Sequence, residues 1–255
     1  MAEASGLLML GLFFVGTDTG VGKTFVTAAV ARLLRHQGYS VRVSKPVATG
    51  ATWRNEQWLT EDTVQLGQSA GVASDEYRRI TPWAFPDPVA PPVAARRQGK
   101  ALRLADMADA VCRLAESGGP LLVEGIGGLL CPLTEHETVA DLARLLRLPV
   151  VVVARRALGT LNHTLLTLEV ARARSLTVAG VVVNETAAPN SLAEETSVEE
   201  LRRRIRVPLL AVIPHQTEPV PEIVPSLAAV DWWRLCLTTS TGNSPTEEPV
   251  HSCRL

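Results

Sequence analysis

Lys23 and Thr24 close the stretch Gly16-Thr17-Asp18-Thr19-Gly20-Val21-Gly22-Lys23-Thr24, which follows the apolar run Leu7 to Val15 and precedes an apolar helical pattern. Strand, glycine-bearing loop, Gly-Lys-Thr and helix is the order a phosphate-binding loop requires. The glycines let the backbone turn tightly and bring its N–H groups up to an anion. The helix start adds its partial positive charge. Lys23 supplies a point charge for terminal phosphates, and the Thr24 hydroxyl is a ligand for Mg²⁺. Five residues separate Gly16 from Gly22, one more than in the common pattern, so the loop is a longer variant.

Three further side chains have the chemistry to join such a site. Lys45 opens Lys45-Pro46-Val47-Ala48-Thr49-Gly50 at the end of an alternating stretch. It reads equally as a strand-end surface lysine or as a cation that clamps an anionic acceptor beside a γ-phosphate. Glu124 ends the apolar run Pro120 to Val123 and precedes Gly125-Ile126-Gly127-Gly128, which favours metal binding over a surface carboxylate. Asp62 reads either as a third Mg²⁺ ligand or as an acidic residue placed by a helix dipole. Asp18 caps backbone N–H groups of the loop. The five histidines and four cysteines show no metal-ligand spacing, no disulfide framework and no Ser/His/Asp arrangement. His163 reads as a packing or capping residue.

These residues need elements to position them. Val26, Val30, Leu33 and Leu34 predict a helix that ends near Gly38. Strands are predicted at Ser40 to Ser44, Arg78 to Thr81, Pro120 to Glu124, Pro149 to Ala154, Val178 to Asn184 and Val207 to Ile213. Helices are predicted from Asp62 to Gly67, Leu102 to Ser117, Val139 to Leu146, Leu158 to Arg174 and Val198 to Ile205, with a terminal one at Trp232 and Trp233. Pro82 to Pro92 reads as an ordered loop. Arg202, Arg203 and Arg204 read as a solvated helix face. The alternation of strands and helices predicts an α/β fold, a mostly parallel sheet with helices on both faces. In such a sheet ligands bind beyond the carboxyl ends of the strands. Those ends carry Gly16, Lys45, Glu124, Arg155, Asn184 and Pro214.

The 255 residues suit one domain, expected over 1–237, followed by a polar tail over 238–255 expected to be disordered. A net charge of -1 gives no basic field for nucleic acid, and no segment reads as a membrane span. A cytoplasmic location is the simplest expectation.

The long loop, Lys45-Pro46-Val47, Val123-Glu124-Gly125-Ile126-Gly127-Gly128 and Leu158-Gly159-Thr160-Leu161-Asn162-His163 together resemble the dethiobiotin synthetases, ATP-dependent enzymes of biotin synthesis, across roughly residues 10 to 216. The resemblance implies a P-loop NTPase-like domain that uses ATP and Mg²⁺ to close a urea ring on 7,8-diaminopelargonic acid and CO₂. It implies catalytic roles for Lys45 and Lys23 and metal ligation by Thr24, Asp62 and Glu124. The implied nucleotide cradle is Gly20, Val21, Gly22, Lys23, Thr24, Phe25, Asp62, Glu124, Gly125, Ile126 and Gly127. Asn184 and Glu185, with Pro214, His215 and Gln216, would complete it around the base. Thr19, Thr49, Gly159, Thr160, Leu161 and Asn162 would contact the small-molecule substrate, the last four from the neighbouring subunit of a homodimer. Ile126 replaces the family's alanine, Pro92 a frequent histidine, and Glu185 a frequent aspartate; none removes a residue with a chemical role.

A regulatory ATPase switch of the partition or septum-site type shares the fold. Such switches carry an extra lysine early in the loop, where this chain has Thr17-Asp18-Thr19. A cobyrinate-type amide synthetase needs a glutaminase domain, and the roughly 40 residues after Pro214 are too few for one. A nucleotide-binding scaffold without turnover is the remaining alternative. A chain ending at Leu237 is expected to turn over at the full-length rate, and a large loss of product formation in that truncation would contradict the assignment of the tail.

Overall fold

The computed structural model describes residues 9–216 and 222–238. Its strands are β1 (Gly11–Gly16), β2 (Arg42–Ser44), β3 (Val47–Thr49), β4 (Thr52–Arg54), β5 (Gln57–Leu59), β6 (Trp83–Phe85), β7 (Leu121–Gly128), β8 (Val150–Arg155), β9 (Val178–Asn184) and β10 (Leu209–Ile213). Its helices are α1 (Lys23–His36), α2 (Glu61–Ala70), α3 (Tyr77–Ile80), α4 (Pro91–Arg97), α5 (Leu104–Ala115), α6 (Val139–Leu146), α7 (Thr160–Ala173), α8 (Leu192–Arg204), α9 (Pro225–Ala228) and α10 (Trp232–Cys236). Six strands form the main sheet in the order β10-β9-β8-β1-β7-β2, and every pairing in it is parallel.

The sheet is buried on both faces, which is why its strands read as continuous apolar runs. Side chains alternate between faces. Along β1, Leu12 and Phe14 join a core with α1, α2 and Trp232, whereas Phe13 and Val15 join a second core with α5, α6 and α8. Along β8, Val151 and Val153 face the first core, and Val150, Val152 and Ala154 the second.

From β1 the chain crosses to β2 and returns to β7, then passes to β8 on the other side of β1. The order therefore reverses at β1. In open α/β sheets that reversal opens a crevice at the carboxyl end of the strand, and here the glycine-bearing loop emerges from it.

Helix α1 ends as its sequence predicts. Gly38 takes a left-handed φ of 90°, and the Tyr39 N–H bonds back to the Leu34 carbonyl at 3.0 Å, closing the last turn. The arginine cluster Arg202–Arg204 lies on the solvated face of α8, paired with Glu199 and Glu200.

Several boundaries differ from the sequence reading. Residues 77–80 form a helical turn, not a strand, because Tyr77 and Ile80, three apart, are the buried pair. The Pro82 to Pro92 segment contains β6, which pairs in parallel with β3, and the start of α4, where Pro91 fits the first helical turn. Helix α2 extends beyond Gly67 to Ala70, and α8 begins at Leu192. Strand β7 continues through the glycine run to Gly128 with a register shift opposite Phe14 and Gly16. The tail expected over 238–255 lies outside the described residues from 239 onward.

Helix α6 has a reciprocal N-terminal cap in which the Asp141 carboxylate accepts the Thr138 N–H at 2.9 Å and the Thr138 hydroxyl at 2.8 Å. Burial would raise the Asp141 pKa, but those hydrogen bonds and the Arg174 charge outweigh it and hold it below its ordinary value. A lowered folded-state pKa stabilises the fold above the unfolded carboxylate pKa near 4, and the gain is lost as pH falls through the folded value. Asp141→Asn is therefore expected to cost about 1 kcal/mol in urea unfolding at pH 7, with the difference from wild type shrinking as the pH is taken below about 4.

Candidate active site

Gly20 and Gly22 hold the loop in its turn with φ values of 71° and 87°. Gly22 is also a contact position: a Cβ there would overlap the Asn184 carboxamide. That carboxamide, 6% exposed, donates from Nδ2 to the Val21 carbonyl at 3.1 Å. Thus the end of β9 fastens the loop that leaves β1. Asp18 caps as expected, accepting the Thr19 N–H at 2.6 Å. Lys23, at the first position of α1, folds over the loop and donates to the Asp18 carbonyl at 3.1 Å. Burial, and then the neighbouring Lys45 charge, lower its pKa.

Lys45 is 4% exposed. Its Nζ lies 2.5 Å from Glu124 Oε1 and 2.6 Å from Asp62 Oδ2. Burial would lower its pKa, yet the two carboxylates outweigh burial and raise it, so the ammonium is kept. Asp62 moves the opposite way: burial would raise its pKa, and the Lys45 charge reverses that. Glu124 is fully buried, and its Oε1 also accepts the Thr24 hydroxyl at 2.8 Å. Its Oε2 is buried without a hydrogen-bond partner among the described residues. A fully buried carboxylate oxygen with free lone pairs, beside a hydroxyl and a second carboxylate, is a donor set suited to a hard cation that takes its other ligands from water or phosphate.

Lys45 follows the edge strand β2, and Glu124 lies on β7, the strand beside it. Pro46 has no N–H with which to continue the ladder, so β2 stops at Ser44 and the Lys45 N–H turns to the Ile80 carbonyl at 2.9 Å. Thr60 caps α2 by accepting the Thr63 N–H at 3.2 Å, which places Asp62 in the first turn above Lys45.

A cleft of about 480 Å³ gathers Thr19, Gly20, Gly22, Lys23, Thr24, Phe25, Lys45, Thr49, Asp62, Glu124, Ile126 and Gly127. Most of the predicted residues thus meet in one place. Ala48 and Gln65 line it too, and sequence reading missed both. Gln65 was detectable in principle, because it lies three residues after Asp62 on one face of α2.

Others fall elsewhere. Gly125 is a packing position, where a Cβ would meet Val139 Cγ1 at 2.9 Å. Glu185 accepts from Arg156 and from the His215 N–H, the latter at 3.0 Å. Pro214 and Gln216 follow β10 on the same rim, joined by a hydrogen bond from Gln216 Nε2 to the Pro214 carbonyl at 2.5 Å. Gly159, Thr160, Leu161 and Asn162 begin α7 and do not line the cleft. A second trough, sharing Thr19 and Gly127 with the cleft, runs to Leu130, Cys131, His163 and Leu166. His163 is exposed there instead of packed, a correction to its sequence reading. The described residues contain no cluster of three His, Cys, Asp or Glu side chains able to hold a metal and no helix long and apolar enough to cross a membrane.

Residues 10–222 match the family described as an AAA domain. The chain is 42% identical over 203 residues to the ATP-dependent dethiobiotin synthetase BioD of Aromatoleum aromaticum, covering 80% of this chain and 89% of that protein. It is 40% identical to the protein of the same name from Anaeromyxobacter dehalogenans, covering 82% and 92%. Among solved structures it is similar to the cell division ATPase MinD of Pyrococcus furiosus, with a TM-score of 0.52, 17% identity and coverage of 89% and 97%. That likeness concerns the fold alone.

Lys45 neutralises a carboxylate that has no access to solvent. Lys45→Met is expected to destabilise the protein by about 3 kcal/mol in urea unfolding. Adding Glu124→Gln to the same chain should restore most of the loss, because the fully buried carboxylate is then no longer left without its counter-charge.

Proposed function

The chain belongs to the ATP-dependent dethiobiotin synthetase family, and from that membership we propose that it closes the urea ring of dethiobiotin on 7,8-diaminopelargonic acid with CO₂ and ATP. The observation that carries the reading is the cleft itself, in which a phosphate loop and a second, buried lysine face one another across Glu124.

One amine of the substrate takes up CO₂ as a carbamate, ATP phosphorylates the carbamate, and the second amine attacks the mixed anhydride and expels phosphate. Two anions must meet in the second of these steps, and this chain's contribution is to make that meeting tolerable. The backbone N–H groups from Gly20 to Thr24 and the Lys23 ammonium hold the phosphates. Lys45 faces the same space from the other wall and holds carbamate and phosphoryl oxygens together. An arriving phosphate stabilises the ammonium of Lys23 against its burial.

Thr24, Glu124 and Asp62 are the residues that would hold Mg²⁺, and the unpartnered Glu124 Oε2 supports that choice. When bound, the ion neutralises phosphate charge. Thr49 lies in the cleft where a substrate hydrogen bond is expected. Asn184, Glu185 and Pro214 to Gln216 surround the base.

The α7 N-terminus lies outside the cleft of its own chain. It serves instead as the anion-binding end for the substrate carboxylate of a second copy in a homodimer. The exposed Leu158, just before that helix, and the exposed Leu166 on it support an intersubunit role. The enzyme acts in the cytoplasm on small molecules, without nucleic acid or membrane.

The deciding experiment measures ADP release and dethiobiotin mass while bicarbonate, the diamine and ATP are omitted in turn. The expected result is that both products appear together and require all three. ATP hydrolysis indifferent to the diamine would instead place the chain among the regulatory ATPase switches. Lys45→Ala, verified as folded by circular dichroism, is expected to lose at least a hundredfold in kcat, on the order of removing one charge-stabilising donor. Turnover like that of wild type in this variant would remove Lys45 from the mechanism.

A further inference from the structure

Arg156 takes part in no step of the proposed reaction, yet its guanidinium is largely withdrawn from solvent and donates from each of its three nitrogens. The side chain is 17% exposed, and its partner Glu185 9%. Nη1 pairs with Glu185 Oε1, Nε donates to the Glu194 carbonyl at 2.8 Å, and Nη2 to the Glu195 carbonyl at 2.8 Å. One planar fork thus spans the end of β8, the end of β9 and the first turn of α8. The compact ammonium of a lysine cannot span three such acceptors.

The connections continue toward the cleft. The Arg156 N–H donates to the Asn184 carbonyl at 2.9 Å, and the Glu185 N–H to the Ile213 carbonyl at 3.0 Å. Glu185 Oε2 accepts the His215 N–H at 3.0 Å. Asn184 holds the phosphate loop through Val21. Hence Glu185 has one carboxylate oxygen on Arg156 and the other on the segment that follows β10. Its position, and with it the spacing between Asn184 and His215, depends on the guanidinium.

We propose that Arg156 is a positioning residue for the nucleotide base, fixing Glu185 so that Asn184 and the Pro214 to Gln216 segment stand at the right separation to grip it. The proposal rests on the reading of those residues as the base site. It separates two parts of ATP recognition: the phosphates are held by the loop, and the base by a wall that Arg156 braces. Loosening the wall frees the segment after β10 to drift from Asn184, which its own bond to Val21 keeps fastened to the phosphate loop, so the grip on the base weakens without moving the groups that do chemistry.

The test compares ATP, which has a base, with inorganic tripolyphosphate, which has only the phosphates. For R156Q the expected result is a KM for ATP raised about tenfold, with kcat within about twofold of wild type and an unchanged inhibition constant for tripolyphosphate. R156K should recover only a minor part of the loss, because it restores charge but not the fork. E185Q, which leaves the carbonyl contacts of Arg156 intact, should raise KM for ATP in the same direction and carries the test should R156Q fail to fold. If wild type binds tripolyphosphate as tightly as ATP, the base site is wrongly assigned and the proposal falls with it. If wild type prefers ATP and R156Q prefers it equally, or loses both ligands in parallel, the positioning role alone is overturned.

Discussion

A lysine with 4% exposure and a glutamate with none can share an interior only as a pair, and the Lys45–Glu124 contact at 2.5 Å is the interaction on which the site depends. Either charge alone would be expelled or neutralised at the cost of several kcal/mol. Asp62 and Thr24 share the remaining load, each bonded into the same group. The result is a polar centre at the carboxyl end of a sheet that is otherwise aliphatic. Its charges are already desolvated and oriented, so they need little reorganisation when phosphate charge arrives.

Parallel topology brings the pair together. Strands β2 and β7 are neighbours, with Ser44 opposite Val123, so the residues that follow, Lys45 just past β2 and Glu124 within β7, stand side by side. Because β1 pairs with β7 on one side and β8 on the other, the phosphate loop emerges beside the same point. Side-chain chemistry and chain reversal coincide at one crevice.

Glycine at position 22 illustrates how closely the two halves of the sheet are fitted. Its left-handed φ turns the loop, and its missing side chain admits Asn184 from β9. The same strand end, through Glu185 and Arg156, reaches α8 and the segment after β10. Thus the ends of β9 and β10 and the glycine-bearing loop are linked by backbone and carboxamide hydrogen bonds, not by packing alone.

Sequence by itself determined the elements with strong periodicity and the chemistry of short motifs. The loop Gly16 to Thr24, the buried runs of β8 and β9, and α6 were legible because apolar residues recur with a fixed period and because Gly-Lys-Thr after a strand has few other uses. The Lys45, Glu124 and Asp62 candidates were legible as chemical types at strand and helix ends, while their mutual contact was not. Only the tertiary structure decided that Lys45 is a buried ion-pair partner and not a surface lysine, since burial depends on which strands become neighbours. It also decided that residues 77–80 are helical and 83–85 a strand, because elements of three or four residues take their conformation from the contacts they make and carry too few side chains to show a period. The role of Arg156 was invisible for the same reason. Its partners lie 29, 38 and 39 residues away, and no local pattern records a separation that only the sheet order sets.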